Sequence, residues 1–403
     1  MDARRVTEAF VWKGTTLAGT LTRTEHGAIF RYAEDYRGAP IAYTLPLSPQ
    51  VHEVRGYNLH PFFAGLLPEG LRLKALRSLL KTSEDDLFTL LIGSGGDVIG
   101  DVSLTLTKEP PLLKIGKAPE LSEVDFEELF SAAITAERYE ERARDLTIAG
   151  FQPKISAGMI SFPVEVKLRR RFCILKLTPE EFPRIAHNEL FCMRLAKECG
   201  LEVPQCLLVK DREGREALLI ERFDRRFNKK TKQHDKVHQE DACQFLGRYP
   251  ADKYRLSFRE VAEGVMALSS APLVDAAKLL RLKAFSYLIT NGDLHAKNIS
   301  LCTDLYTHAI GLTPAYDLVA TLPYGDRTMA LQFEGRDNNL TARDFFAFGG
   351  RCGLRAPVVQ RILHEVSTGV ATSIPRLGEI GLSSAQTKDL TRVIEKRVQD
   401  LTP

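Results

Sequence analysis

The sequence predicts an α+β protein with a β-rich lobe followed by a helical lobe, and a small mixed subdomain in front of both. Three observations point there. Short β-favouring runs separated by turn residues fill 8–48 and return between about 155 and 224. Apolar residues at helical spacing dominate the rest, most clearly in VDAAKLLRLKAFSYLIT and APVVQRILHEVSTGVATSIP. The length of 403 residues, at roughly 100–200 residues per domain, allows two or three such bodies.

In the first subdomain, residues 1–120, the runs AFVWKG, GTLTRT, AIFRYA and APIAYTLPL read as strands. FFAGLLPEGLRLKALRSLL and LFTLLI read as helices over 60–92, broken by the polar stretch Thr82 to Asp86, where Ser83 is placed to cap the second. The Gly-rich GSGGDVIG at 93–100 reads as a structural loop ahead of the strand DVSLTLT, and Lys108 to Lys117 as a linker.

Residues 121–224 read as the β-rich lobe. An acidic helix, SEVDFEELFSAAITAERYEERAR, leads into LTIAGFQPKIS and the strands FPVEVKL and FCILKLT. A helix over about His187 to Cys199 stops at Gly200, a residue type suited to ending helices. CLLVKD and EALLIERF then form two strands around a turn at Glu213 and Gly214. Residues 225–403 read as the helical lobe.

Apolar residues make up 44% of the chain and charged ones 27%, as in ordinary globular proteins. A net charge of +3 does not by itself call for nucleic acid; the basic runs at Lys167 to Arg171 and Lys229 to Lys232 read as solvated turns. The seven cysteines are scattered with no CxxC pair, which disfavours a disulfide framework or a zinc site and suits reduced thiols. The first residues lack an apolar signal core, and no run approaches the ~20 apolar residues of a membrane span, so a cytoplasmic protein without membrane contact is expected.

The sharpest chemical signal is LITNGDLHAKNISL at 288–301. A long apolar helix ends, a polar loop follows, and a strand-like segment resumes. Transfer of a phosphoryl group from ATP needs a carboxylate to orient or deprotonate the attacking hydroxyl, and an oxygen ligand nearby for Mg2+. Asp293 and Asn298 supply both at the D-x-x-x-x-N spacing of protein-kinase catalytic loops. Asp317, in PAYDL, follows where a second metal-binding aspartate is expected, so Asn298 and Asp317 are the candidate metal ligands. The plainer alternative is a helix-end aspartate and a turn asparagine. The third expected part, a phosphate-facing loop in the β-rich lobe, falls on Ala149, Gly150, Phe151, Gln152, Pro153 and Lys154, where Gly150 lets backbone approach phosphate. Lys176, flanked by apolar residues on a strand, is placed to reach ATP phosphates, with Glu189 of the next helix as its candidate partner. Glu221, Arg222 and Phe223 lie where the chain passes between the lobes, the place of an adenine-holding hinge. With these parts the order of lobes becomes a bilobal protein-kinase-like fold with an extra N-terminal α/β subdomain.

Together FFAGLLPEG, GGDVIGDVSL, IAGFQPK, HNELFCMRLAKECGLEVP, ERFDR, HQEDACQFLG, NGDLHAKN and PAYDL resemble the HipA family of bacterial serine/threonine kinases over nearly the whole chain. The resemblance implies Asp293 as catalytic base. It implies Lys176 and the backbone of Ala149 to Lys154 on phosphates, Glu221, Arg222 and Phe223 around adenine, and His295, Ala296, Lys297, Asn298, Tyr316 and Asp317 completing the nucleotide and metal site. It further implies self-phosphorylation at Thr147, where the family's best-known pattern has serine. The implied partners are a HipB-like DNA-binding antitoxin, operator DNA mainly through that antitoxin, and a protein substrate such as an aminoacyl-tRNA synthetase. A catalytically weak member acting as an antitoxin-bound corepressor and a small-molecule kinase are the competing readings; the first expects loss of Asp293, Asn298 or Asp317, and all three are present.

Overall fold

A computed structural model describes residues 3–25, 27–55, 59–94, 98–111, 123–128, 155–156, 159–166 and 171–402. The chain forms two compact units. One comprises Met1–Ile155, Ile160–Leu177 and Val209–Pro250, and the other Ser156–Met159, Thr178–Leu208 and Ala251–Pro403. The cut therefore differs from the three segments read off the sequence: the helix Ile185–Glu198 goes with the helical unit, and residues 225–250 with the β-rich one.

The β-rich unit opens with an antiparallel five-stranded sheet in the order His52–Arg55, Gly27–Tyr32, Thr16–Thr24, Glu8–Lys13, Val102–Thr105. Alternation sends Val11, Leu21 and Phe30 to one face, where they are buried with Phe62, Phe63, Phe88 and Leu91 from the helices Pro61–Gly65 and Leu87–Gly93. The run APIAYTLPL is not a strand. Ile41, Ala42 and Leu45 instead wrap the Tyr32 hydroxyl, which donates to Leu45 O at 2.6 Å and accepts from Ile41 N at 2.9 Å. Pro40 and Pro46, which donate no backbone hydrogen bond, bracket this plug and keep it out of a ladder. The cap of Leu87–Gly93 is Asp86, accepting from Thr89 N at 3.1 Å, where Ser83 was expected. Ser83 Oγ accepts from Asp85 N and closes the turn before it.

Three further strands of this unit, Met159–Val166, Arg171–Leu177 and Glu216–Glu221, pair antiparallel, with Lys176 opposite Leu218 on one side and Ser161 on the other. Residues 225–241, expected to be helical, form the hairpin Arg225–Asn228/Gln233–Lys236 and the strand His238–Asp241. Asn228 Oδ1 accepts from Lys230 N and Thr231 N and turns the chain, leaving Lys229, Lys230 and Lys232 exposed, as a solvated turn should be.

The helical unit is organised by Pro272–Leu288, in which Leu279, Leu280, Ala284, Phe285 and Leu288 are wholly buried. Around it lie Phe258–Leu268, Ala342–Arg351, Ala356–Ser373 and Ser384–Leu401. Capping boxes start three of these, Ser257 with Glu260, Thr341 with Asp344 and Ser383 with Gln386. All seven cysteines are free thiols, five of them buried. Among the described residues no helix is long and apolar enough to cross a membrane.

Candidate active site

The helix Pro272–Leu288 aims its C-terminal end at the polar loop. Thr290 takes the left-handed conformation (φ 64°) and reverses the chain, and Asn291 N bonds back to Ser286 O at 2.8 Å. Asp293 is then fixed through its backbone. Its N–H donates to Asn291 Oδ1 at 3.0 Å, and its carbonyl accepts from His295 N and Asn298 Nδ2, both at 2.8 Å. What remains adjustable is the carboxylate. Oδ1 accepts from the Tyr254 hydroxyl at 2.8 Å, and His295 Nε2 lies 3.9 Å away.

Burial pushes the Asp293 carboxyl up to about 6. The Tyr254 hydrogen bond and Lys253 pull against this, while the carboxylates of Asp317 and Asp326 add to the rise. A carboxyl titrating there is ionised at neutral pH yet close enough to it to exchange a proton readily, which is what a general base requires.

Asn298 is buried, and its Nδ2 is spent on Asp293 O; among the described residues its Oδ1 accepts no hydrogen bond. Asp317 is held in a left-handed conformation (φ 54°), unusual for a residue other than glycine and a mark of a constrained position. Just before it, the Tyr316 hydroxyl donates to Lys297 O at 2.8 Å and lies 2.6 Å from Ser300 Oγ, so Tyr316 is a strut tying the Asp317 segment to the end of the loop. Just after it, Ala320 is gripped by Asn188 in a reciprocal pair: Nδ2 donates to Ala320 O and Oδ1 accepts from Ala320 N, both at 2.9 Å. Asn298 Oδ1 and the Asp317 carboxylate are hard oxygen donors, the ligand type that suits magnesium. Among the described residues no cluster of three or more His, Cys, Asp or Glu is built to hold a metal alone.

A groove of about 690 Å³ on the same unit has Asn298, Ile299 and Ser300 in its wall, but neither Asp293 nor Asp317.

In the other unit Lys176 is buried on its strand, while Glu221 and Phe223 are half-buried. Arg222 has a structural employment. Its Nε and Nη2 donate to Asp224 at 2.8 and 2.7 Å, and its N–H donates to Phe172 O at 2.8 Å. Arg225 joins Asp224 at 2.8 Å and also donates to Gly100 O and Val98 O. Burial alone would raise the Asp224 carboxyl; the two guanidiniums outweigh it and hold it far below the usual range. The expectation that 93–100 is a structural loop fits its described end: Gly100 N–H donates to Asp224 Oδ2, and its φ of 83° suits glycine. Glu189 is buried in the helix Ile185–Glu198 of the helical unit. Thr147 and Ala149 to Lys154 lie outside the described residues.

Sequence reasoning missed Tyr254, Asn188, Thr321 and Asp326. Tyr254 sits in the loop segment ADKYRLS, which carries no pattern. Asn188 did leave a trace, as a polar residue inside the otherwise apolar face of a helix.

The HipA N-terminal domain model matches residues 9–105, and the HipA-like C-terminal domain model matches residues 146–374. Y4mE of Sinorhizobium fredii, provisionally named a kinase, is 30% identical over 392 residues, covering 92% of this chain and 91% of that protein. The serine/threonine-protein kinase toxin HipA of Shewanella oneidensis is 27% identical over 372 residues, covering 86% of this chain and 82% of that one. Among solved structures, a chain of the Shewanella oneidensis MR-1 complex of HipA, HipB and operator DNA aligns with a TM-score of 0.73 at 21% identity, covering 98% of this chain and 99% of its own. That likeness establishes the fold.

Proposed function

The chain belongs to the HipA family, and on that premise we propose that it is an ATP- and magnesium-dependent serine/threonine protein kinase with a variant of the bilobal kinase fold. One observation carries the reading: a single loop presents the Asp293 carboxylate, its Oδ1 held by Tyr254, and, bonded to that residue's own carbonyl, Asn298, whose Oδ1 accepts no hydrogen bond among the described residues.

In the proposed mechanism the acceptor hydroxyl approaches Asp293, whose Oδ1 is steadied by Tyr254 and whose Oδ2 accepts no hydrogen bond among the described residues. Oδ2 takes the hydroxyl proton as the bond from that oxygen to the γ-phosphorus of ATP forms and the bond from the γ-phosphorus to the β–γ bridging oxygen breaks, ADP leaving. Asn298 and Asp317 would hold magnesium, which when bound would supply charge neutralisation for the ATP phosphates. Tyr316 and Asn188 keep Asp317 in register with the loop. Lys176 is the proposed phosphate ligand from the β-rich unit, with the backbone of Ala149 to Lys154. Glu221 to Phe223 are the proposed adenine contacts, Arg222 contributing no free guanidinium.

Beyond the reaction, the family relationship supports a HipB-like DNA-binding partner, with operator DNA reaching the complex mainly through it; the Shewanella structure is a complex of HipA, HipB and operator DNA. It also supports a protein substrate in translation, such as an aminoacyl-tRNA synthetase, and self-phosphorylation at Thr147. Incubation with γ-labelled ATP and cell lysate tests the reading. Label on a discrete protein, absent with Asp293→Asn, supports it; label confined to a metabolite fraction would replace it with a small-molecule kinase.

A further inference from the structure

Four residues after Asp317, Thr321 is buried within the helical unit and turned toward the catalytic loop. Its hydroxyl donates to Thr290 O at 2.9 Å and accepts from Gly292 N at 2.8 Å, while its own N–H donates to the same Thr290 carbonyl at 3.1 Å. One hydroxyl thus bridges the peptide groups on either side of Asn291, immediately ahead of Asp293. The loop has little freedom on its other side. A Cβ at Gly292 would lie 2.5 Å from Thr328 O and 2.3 Å from Asp326 Oδ2, so the segment after Asp317 is packed against the loop at bare-glycine distance.

We propose that Thr321 is a positioning residue that sets Asp293 relative to Asp317. The argument is geometric. Asp317 lies on one segment and Asp293 on another, and phosphoryl transfer needs the hydroxyl and the phosphate brought into line to within about 1 Å. Tyr316 ties the first segment to the loop downstream of Asp293, at Lys297 O. Thr321 is the tie upstream of it, and the only side chain among the described residues that bonds Gly292 N–H. Asn188 holds the neighbouring Ala320 through both its N–H and its carbonyl, so the strand of backbone that presents Thr321 is itself fixed. Loss of the Thr321 hydroxyl would leave Asp317 and its metal-binding chemistry in place and let the peptide before Asp293 rotate.

The inference rests on the kinase reading and is tested on the full chain with MgATP. Thr321→Val keeps shape and removes both hydroxyl bonds; Thr321→Ser restores them; Thr321→Ala serves if the valine variant does not fold. The expected result is a fall in kcat of about 10–100-fold for Val or Ala, an MgATP Kd within threefold of the parent, and faster hydrogen exchange at the Gly292 amide. Ser should return kcat to within threefold. The proposal is overturned if Val and Ala keep kcat, if Ser is as impaired as they are, or if MgATP binding falls in step with kcat, which would mark a merely structural role. If the parent chain transfers no phosphate at all, the kinase reading fails, whereas slow Gly292 exchange in the parent and fast exchange in Thr321→Val would still uphold the tie.

Discussion

The Tyr254 hydroxyl donates to Asp293 Oδ1 at 2.8 Å from a loop that precedes the helix Phe258–Leu268. The pair links a residue with no sequence signature to the residue with the strongest one. Because the bond stabilises the ionised carboxylate, it opposes the upward push of burial.

Tyr254→Phe is therefore expected to raise the Asp293 pKa further. A base works only when deprotonated, so activity should climb with pH through its pKa, near 6 in the parent. One hydrogen bond is worth about 0.5–1.5 kcal/mol, and 1.36 kcal/mol corresponds to one pKa unit. The acid limb of the kcat–pH profile should move up by about 0.5–1 unit. An unmoved limb would mean that Asp293 is not the titrating base.

Asp293→Asn should fold normally, since the backbone bonds of Asp293 do not involve its carboxylate. Removal of a general base costs about 10²–10⁴-fold in rate, and labelled-ATP incorporation should fall by that order with an unchanged melting temperature. Turnover near the parent level would remove Asp293 from the mechanism.

Asp317→Ala should separate magnesium from catalysis. Calorimetric titration with ATP is expected to show tighter binding with magnesium than without in the parent, and no such difference in the variant. A preserved magnesium dependence would leave Asp317 a structural residue held at an unusual φ.

The loop 288–301 stood out in sequence because its polar residues are local: Asn291, Asp293 and Asn298 lie within a few residues of one helix end. The strands 8–32 were legible through their alternation. The strand His238–Asp241 was not, because its partners are distant in sequence. His238 bonds Asp101, and Glu240 accepts from Tyr43 N, so the polar run His238–Asp241, which resembles neither a strand nor a core, is in fact buried. For the same reason Asn188 and Thr321 escaped notice: each is an ordinary polar residue until the chain brings Ala320 or Gly292 beside it.

That buried run has a pH signature. His238 Nδ1 lies 2.7 Å from Asp101 Oδ1 and Nε2 3.0 Å from Glu240 Oε1, so both ring nitrogens face carboxylates. Burial and Lys13, whose Nζ lies 3.0 Å from Nδ1, work against the imidazolium, but the carboxylates prevail and the pKa is raised. A raised folded-state pKa stabilises fully below the unfolded value near 6.5 and loses that stabilisation as pH climbs through the folded value. His238→Gln should destabilise by about 3 kcal/mol at pH 6 and by less at higher pH. Denaturant melts of both proteins across that range check it; an equal loss at every pH would show the ring to be neutral.

Lys283 sits in the middle of the core of the helical unit and gives the opposite sign. It is wholly buried, with Nζ donating to Leu331 O at 3.1 Å and lying 5.1 and 5.5 Å from the Phe258 and Phe333 rings. Burial, helped by Arg397, pushes its pKa down to about 7, whereas the ring faces favour the ammonium form and offset part of that cost. The unfolded chain holds its proton up to about 10.4. Between those values the unfolded state binds more protons, so stability should rise with pH across roughly 7 to 10. Lys283→Met removes the titrating group at similar volume and leaves one carbonyl unpaired, a loss of about 1–3 kcal/mol. Its stability relative to the parent should therefore be greatest near pH 7 and decline steadily toward pH 9.5, as the parent sheds the cost of burying a charge. Parallel denaturant melts of the two proteins decide it. Identical slopes against pH would mean that Lys283 stays in one protonation state throughout, its charge either wholly compensated by the two rings or absent from the start.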